Sequence, residues 1–324
     1  MLIAVRLFRP VKHDSGVFST LGFDAELPCG LALESDAPWD RRTELGRMSF
    51  TVYYGRRCDG RMVWAALVRR YGNDPGTLAT LTPWVLLGSE LPIVGFTALD
   101  WMRQGNRFRV HYDTSATSHL GPRRFPSTAT LRSTAAVALR NLLLAYWIPS
   151  WILLRVAKAL QIHPYDTNEP TVGRVACETI GIAVTADVLF YWLHRLMHTR
   201  RFYRPMHKIH HEFKYSIALA HHWMDLKESV LFALPQALPP LVYWGVSGRK
   251  VHLLSMWAAF CFTQLNAILG HAGYHVPGLP RWVPFFQAAF HDHHHVDYSV
   301  NFAAMFPLTD RLFGTYLRAP LQPH

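Results

Sequence analysis

The chain has 324 residues, half of them apolar, 13% aromatic and only 17% charged, with a formal net charge of +11. Soluble domains carry nearer a quarter charged residues, so the composition argues against a wholly soluble protein. A mean hydropathy of +0.05 equally excludes a chain made only of membrane spans. The Arg residues are scattered among apolar segments rather than massed in one run, which points the basic excess at an anionic lipid surface and away from nucleic acid.

In chain order, the opening MLIAVRLFRPVKHD has too short an apolar run for a signal peptide. Residues 1–76 read as a polar N-terminal region of unknown role, with a short strand in MSFTVYY and a short helix in MVWAALVRRY. Residues 77–170 hold the membrane-entry helices. Leu78 to Met102 is long enough to span, although Pro83, Glu90 and Pro92 interrupt it. Asn141 to Leu154 is intensely apolar but short. Arg140, Arg155 and Lys158 flank it and can snorkel, which suits a tilted or partly interfacial helix. The turn-rich HPYDTNEPT (163–171) follows, with Pro170 placed to start a helix. Val175 to Leu193 then runs straight into His194. Val230 to Val246, broken by Pro235, Pro239 and Pro240, and Val251 to Leu269 read as a helical hairpin joined at GVSGRK. Cys29, Cys58, Cys177 and Cys261 form no CxxC, so neither a disulfide scaffold nor a zinc ribbon is expected.

Fourteen of the nineteen histidines lie between His194 and His295. His194 and His198 are i and i+4, on one helix face. His207, His210 and His211 are i, i+3 and i+4, and His291, His294 and His295 repeat that spacing. His271 and His275 repeat the first. Neutral imidazole is the commonest metal ligand and suits iron, zinc, copper and nickel. Ten candidate ligands are too many for one ion and suit two ions close together. Asp187 and Tyr191 share the face of His194 and His198, where they are expected to hydrogen-bond the imidazoles from behind. An acid within an apolar segment also points to function rather than to lipid. A lone HxxxH is more often a surface coincidence. Four clusters within about a hundred residues, each following an apolar segment or a Pro-containing turn, outweigh that reading. His13, His111, His119, His163, His252 and His324 are expected on the surface or in packing, and His293 is expected to point elsewhere. A zinc-protease reading fails, because His211–Glu212 would need a histidine where Tyr215 stands. No GxGxxG element opens a helix, so no nucleotide site is expected.

The stretches DVLFYWLHRLMH (187–198), MHKIHHEF (206–213), GHAGYH (270–275), HDHHH (291–295) and TDRLFGT (309–315) resemble the fatty acid hydroxylase/sterol desaturase superfamily of membrane-bound di-iron enzymes. The resemblance covers roughly residues 171–318. It implies an all-α membrane protein with about four transmembrane or interfacial helices and a cytosolic, histidine-rich helical cap. It also implies an endoplasmic reticulum location if the source is eukaryotic. The implied chemistry is O2-dependent hydroxylation, desaturation or methyl oxidation of a lipid-like substrate (sterol, fatty acyl, sphingoid, or terpenoid or polyketide) at two Fe ions. Carried over by position, the ligands are His194, His198, His207, His210, His211, His271, His275, His291, His294 and His295; relatives often have Asp at the place of His275. Relatives commonly carry a further histidine where this sequence has Asp225, with Glu228 at their Glu. His221 and His222, one turn earlier, are the alternatives to Asp225. Asp292 and Asp310, with Asp187, are expected to offset the positive charge of the centre. The sequence contains no HPGG haem motif, so electrons are expected from NAD(P)H through an external cytochrome b5 or reductase. The basic strip Arg200, Arg201, Arg204, Lys208 and Lys214 would dock such a partner or meet lipid headgroups. The competing class is a metal-binding or metal-transporting membrane protein without oxygenase activity, which would want its ligands near the bilayer midplane.

Overall fold

A computed structural model describes residues 31–34, 51–54, 60–102, 126–163, 165–213, 216–274 and 288–318. Apart from an antiparallel strand pair, β1 (Leu31–Glu34) and β2 (Thr51–Tyr54), the described chain is helical. The expected strand in MSFTVYY is β2, and the expected short helix is α1 (Gly60–Tyr71).

Five helical stretches are long and apolar enough to cross a membrane, against the four or so expected: Pro75–Leu99, Thr128–Ala159, Val172–Met197, Leu226–Ser247 and Leu253–Ala272. The first is three short helices, α2 (Pro75–Ala79), α3 (Thr82–Gly88) and α4 (Leu91–Met102). Its prolines fall in the first turns, where the missing N–H has no helical partner to lose. Pro75 and Pro83 therefore start helices rather than break one. Glu90 is buried but not bare: Gln264 Nε2 donates to it at 2.6 Å and His222 Nε2 lies 3.1 Å from its other oxygen. The second stretch is α5 (Thr128–Asn141) and α6 (Ile148–Ala159), joined by a π-helical turn over Leu142–Trp147.

The remaining three are continuous. The 26-residue α7 (Val172–Met197) starts at Thr171, whose hydroxyl accepts the Arg174 N–H. α8 (Leu226–Ser247) is capped by Asp225 and ends at Gly248, in the left-handed conformation at φ +67° that glycine tolerates. His252 caps α9 (Leu253–Ala272). α8 and α9 are consecutive and joined at the expected GVSGRK stretch. Each packs chiefly on α7, and they touch through Thr263 and Gln236. α7 runs toward the histidines, α8 away from them and α9 back.

At the far end, Arg174 bridges Asp166, Glu178 (2.8 Å) and the Lys250 carbonyl (3.0 Å). Trp64, Leu78, Leu154, Leu253 and Trp257 form a buried cluster there. Outward faces carry exposed Leu91, Val94, Leu153, Ile180 and Val246. Such a distribution suits a hydrocarbon surround rather than water. Two short helices complete the histidine end, α10 (Ala288–Val296) and α11 (Leu308–Leu312).

Candidate metal centre

The histidines come to one place from four pieces of chain. His194 and His198 stand at the C-terminal end of α7, and His271 at that of α9. His207, His210 and His211 sit on tight turns between α7 and α8, and His291, His294 and His295 on α10. Nine of the ten residues expected at the centre fall into two groups. His194, His198, His207, His211 and His294 form the first. His210, His271, His291 and His295 form the second. Within each group the nitrogens lie within 4.8 Å of one another. The tenth, His275, lies outside the described residues, as do His13, His111, His119 and His324. Among the described residues each i, i+4 pair stays together, while the i+3 ring crosses over: His210 leaves His207 and His211, and His294 leaves His291 and His295. The groups abut, with the rings of His211 and His295 4.6 Å apart.

The donor chemistry fits metal ions. His194 Nδ1–H donates to the Phe302 carbonyl at 2.7 Å, His271 to Ala267 at 2.7 Å and His210 to Trp223 at 3.2 Å. His294 Nδ1–H donates to Val300 at 2.7 Å, and His207 Nδ1 lies 2.5 Å from Glu228 Oε1. With Nδ1 protonated, each of these rings turns a bare Nε2 lone pair inward. Lone pairs that face one another repel unless a cation lies between them. In the first group the Nε2–Nε2 separations are 3.1 Å (His194–His207), 3.3 Å (His194–His198), 3.2 Å (His198–His211) and 2.9 Å (His207–His211). In the second they are 3.2 Å (His210–His271), 3.0 Å (His271–His291) and 3.2 Å (His291–His295). Nitrogens held at about 2.1 Å from one ion stand about 3.0–3.4 Å apart for bond angles between 90° and tetrahedral. The buried Nε2 of His294 has no hydrogen-bond partner, as a ligand atom requires.

Electrostatics keep the rings in ligand form. Burial, followed by the neighbouring imidazoles, pushes His198 down to about 2 and His210 to about 3. The same causes hold His207, His211, His294 and His295 well below the usual histidine range. All are therefore neutral at pH 7.

The acids expected behind the ligands act at one remove. Asp187 accepts the backbone N–H groups of Ala304 (3.0 Å), Met305 (2.8 Å) and Phe306 (3.2 Å). Asp310 accepts those of Phe302 and Ala303, both at 2.8 Å. Together they fix the loop whose carbonyls receive His194 and His294. Tyr191 joins Thr315 (3.1 Å) and Arg195 (2.9 Å) and touches no ligand nitrogen. Asp292 accepts from Ser216. Asp225 caps α8 through the Lys227 N–H at 2.9 Å and belongs to neither group. His222 is spent on Glu90. His221 packs 5.3 Å from the ring of His271, outside both groups. His293 also stands in neither group, and His252 is the buried cap of α9. The alignment of residues 218–228 placed Glu228 in register but gave it no role; its carboxylate meets an imidazole of the first group directly.

A narrow cavity of about 60 Å³ runs from these rings between α7, α8 and α9. His194, His210, His271 and His291 close one end, and Phe190, Met224, Phe232 and Ala267 form apolar walls.

Residues 179–315 match the fatty acid hydroxylase family model, a span that holds all nine grouped histidines. This part of the chain is similar to fatty acid hydroxylase domains. Its relatives include very-long-chain aldehyde decarbonylase GL1-10 of Oryza sativa subsp. japonica, 31% identical over 45% of this chain and 48% of the relative. Methylsterol monooxygenase 1 of Danio rerio and that of Rattus norvegicus are each 32% identical over 47% of this chain and 51% of the relative. The chain thus spans about half the length of the curated relatives it matches. No solved structure matches.

Proposed function

We propose that the protein is a membrane-bound di-iron oxidoreductase that uses O2 to hydroxylate, desaturate or oxidise a methyl group of a lipid-like substrate. The observation that carries this reading is the convergence of two groups of imidazole nitrogens beside an apolar cavity. His194, His198, His207, His211 and His294 would hold one iron, and His210, His271, His291 and His295 the other. When bound, iron supplies the redox capacity and open positions that O2 activation against an unactivated C–H bond needs.

The residues of the chain do the rest. Glu228 and the carbonyls of Phe302, Val300, Trp223 and Ala267 fix the tautomer and orientation of five ligands. Phe190, Phe232 and Met224 line the approach and exclude water, which keeps a strong oxidant from side reactions. The cavity lies among membrane-crossing helices, so an apolar substrate can enter from the bilayer. The names of the relatives, a methylsterol monooxygenase and a very-long-chain aldehyde decarbonylase, support a lipid substrate.

A multi-pass membrane location, in the endoplasmic reticulum if the source is eukaryotic, with the centre facing the cytosol, is part of the same proposal. So is electron supply from NAD(P)H through an external cytochrome b5 or reductase. The position of the ligands at the ends of α7 and α9, rather than midway along them, disfavours metal transport. The test is to purify the chain in detergent, measure iron, and profile lipids in cells carrying the wild type, His210→Ala or His294→Ala. About two irons per chain and a lipid whose oxidation depends on both histidines support the reading. A zinc-only protein with unchanged lipids overturns it.

A further inference from the structure

The end of the helices opposite the histidines holds a second cavity, open to the outside and of about 820 Å³. Arg174, on its wall, precedes His194 along α7 by twenty residues. At ~1.5 Å per residue that is about 30 Å, the thickness of a hydrocarbon layer, so the cavity stands at the headgroup level of the other leaflet. Bonds fix its walls. The Asp166 N–H donates to the Val251 carbonyl and the Leu253 N–H to the Asp166 carbonyl, both at 2.9 Å. His252 Nε2–H donates to the Asn168 carbonyl at 2.8 Å. The segment before α7 is thereby laced to the connection between α8 and α9.

The charges on these walls are unequally placed. Asp166 receives Arg174 and the backbone and side-chain N–H groups of Asn168, at 3.0 and 2.8 Å. Glu178 receives Arg174 at 2.8 Å and the His252 N–H at 2.9 Å. The two carboxylates are only 20% and 11% exposed beneath these donors. Arg249, by contrast, is exposed, and Lys250 stands beside it. Among the described residues neither of these cations pairs with a carboxylate. Lys250 Nζ lies 5.8 Å from the Trp244 ring centre, and Tyr243, Trp244 and Val246 form an exposed surface next to it, as aromatic residues do at a membrane interface. Snorkelling into bulk headgroups would account for the two cations, but not for a walled recess between them and α7. We propose that this recess binds one anionic phospholipid, its phosphodiester against Arg249 and Lys250 and its acyl chains along Trp244 and Val246. A phosphate alone would leave most of the volume empty. Asn73, Asn168 and Tyr243 line the remainder with neutral polar groups, which suit the hydroxyls of a phosphoinositol or phosphoglycerol headgroup. Such binding requires neither iron nor turnover.

The test titrates the full chain in detergent with phosphatidylinositol and with phosphatidylcholine, and counts bound lipid by native mass spectrometry. The wild type should hold a single phosphatidylinositol and prefer it to phosphatidylcholine by about tenfold or more, the worth of one charge-assisted hydrogen bond. A photoactivatable phosphatidylinositol should label peptides from 163–178 or 243–250. Arg249→Gln with Lys250→Gln should cut the preference to below about twofold while phosphatidylcholine binding persists. Soluble inositol phosphate at equal concentration should leave the lipid in place; if it displaces the lipid, the recess takes a free phosphate ester and the lipid assignment is overturned. Equal wild-type affinity for the two lipids, or labelling confined to other peptides, overturns the inference whether or not the variant folds. So does a double variant that keeps the preference.

Discussion

Nδ1 of His207 and Oε1 of Glu228 lie 2.5 Å apart, and both side chains are wholly buried. Glu228 stands in the first turn of α8, so the helix that walls the cavity also orients a ring of the first histidine group. Replacing Glu228 by Ala leaves that imidazole N–H unpaired in the interior. Metal affinity should fall about 10–100-fold, with about 1–3 kcal/mol lost from stability. Glu228→Gln, which keeps an acceptor, should fall between. Iron titration of the three proteins checks the order; equal affinity in Glu228→Ala denies Glu228 this role.

Asp187 and Asp310 hold the loop from Phe302 to Phe306 by five backbone N–H bonds. Asp187→Ala bares three of those donors, at about 1–3 kcal/mol each. It also loosens the loop that follows Phe302, whose carbonyl receives His194. The expected result is a lower melting temperature together with loss of metal from the first group. Iron content and thermal melting of Asp187→Ala and Asp310→Ala measure it. Unchanged iron in a destabilised protein would confine both acids to a folding role.

Acid should unfold the metal-free protein early. In the fold His198 and His210 stay neutral down to about 2 and 3, because burial and neighbouring rings oppose their charging. Released into water, a histidine takes up its proton near ~6.5. Below that pH the unfolded state therefore binds more protons than the folded one. Each such ring removes about 1.4 kcal/mol per pH unit as pH falls toward the folded value. The melting temperature of metal-free protein should drop steeply from pH 7 to 5. Iron-loaded protein should resist over the upper part of that range, since ligation holds the rings neutral. A flat melting temperature in the metal-free protein contradicts the account.

Gly270 sits where α9 meets α10. A Cβ built there would lie 3.2 Å from the Cβ of His291. Gly270→Ala forces a shift of a few tenths of an ångström, and Gly270→Val a larger one. Iron in the second group should fall modestly in the first variant and severely in the second, with the first group less affected. Metal analysis by variant reads this directly.

Much of the centre was legible because i, i+4 spacing on a helix is a geometric statement. The pairs His194/His198, His207/His211 and His291/His295 each remain within one group. The exchange of His210 and His294 between groups was not legible, since it depends on how α10 docks against the turns before α8. The carbonyls of Phe302 and Val300 leave no sequence signal at all, because every residue has one. Asp187 and Asp310 were visible as buried acids, but their bonding to backbone rather than to imidazole follows from the loop after α10. The apolar segments showed the membrane helices. Their number rose to five because Pro75 and Pro83 start short helices within a span, whereas proline inside a pattern reads as interruption. The connection of α8 to α9 at GVSGRK was legible, but not their packing, in which each helix lies chiefly on α7.

The most direct measurement is the iron content of group-specific variants. Wild-type protein should hold about two irons per chain. His198→Ala with His211→Ala should remove one and leave the other, and His271→Ala with His295→Ala should do the converse. A single iron in the wild type, or loss of all iron from either pair while the protein remains folded, would contradict two separate sites.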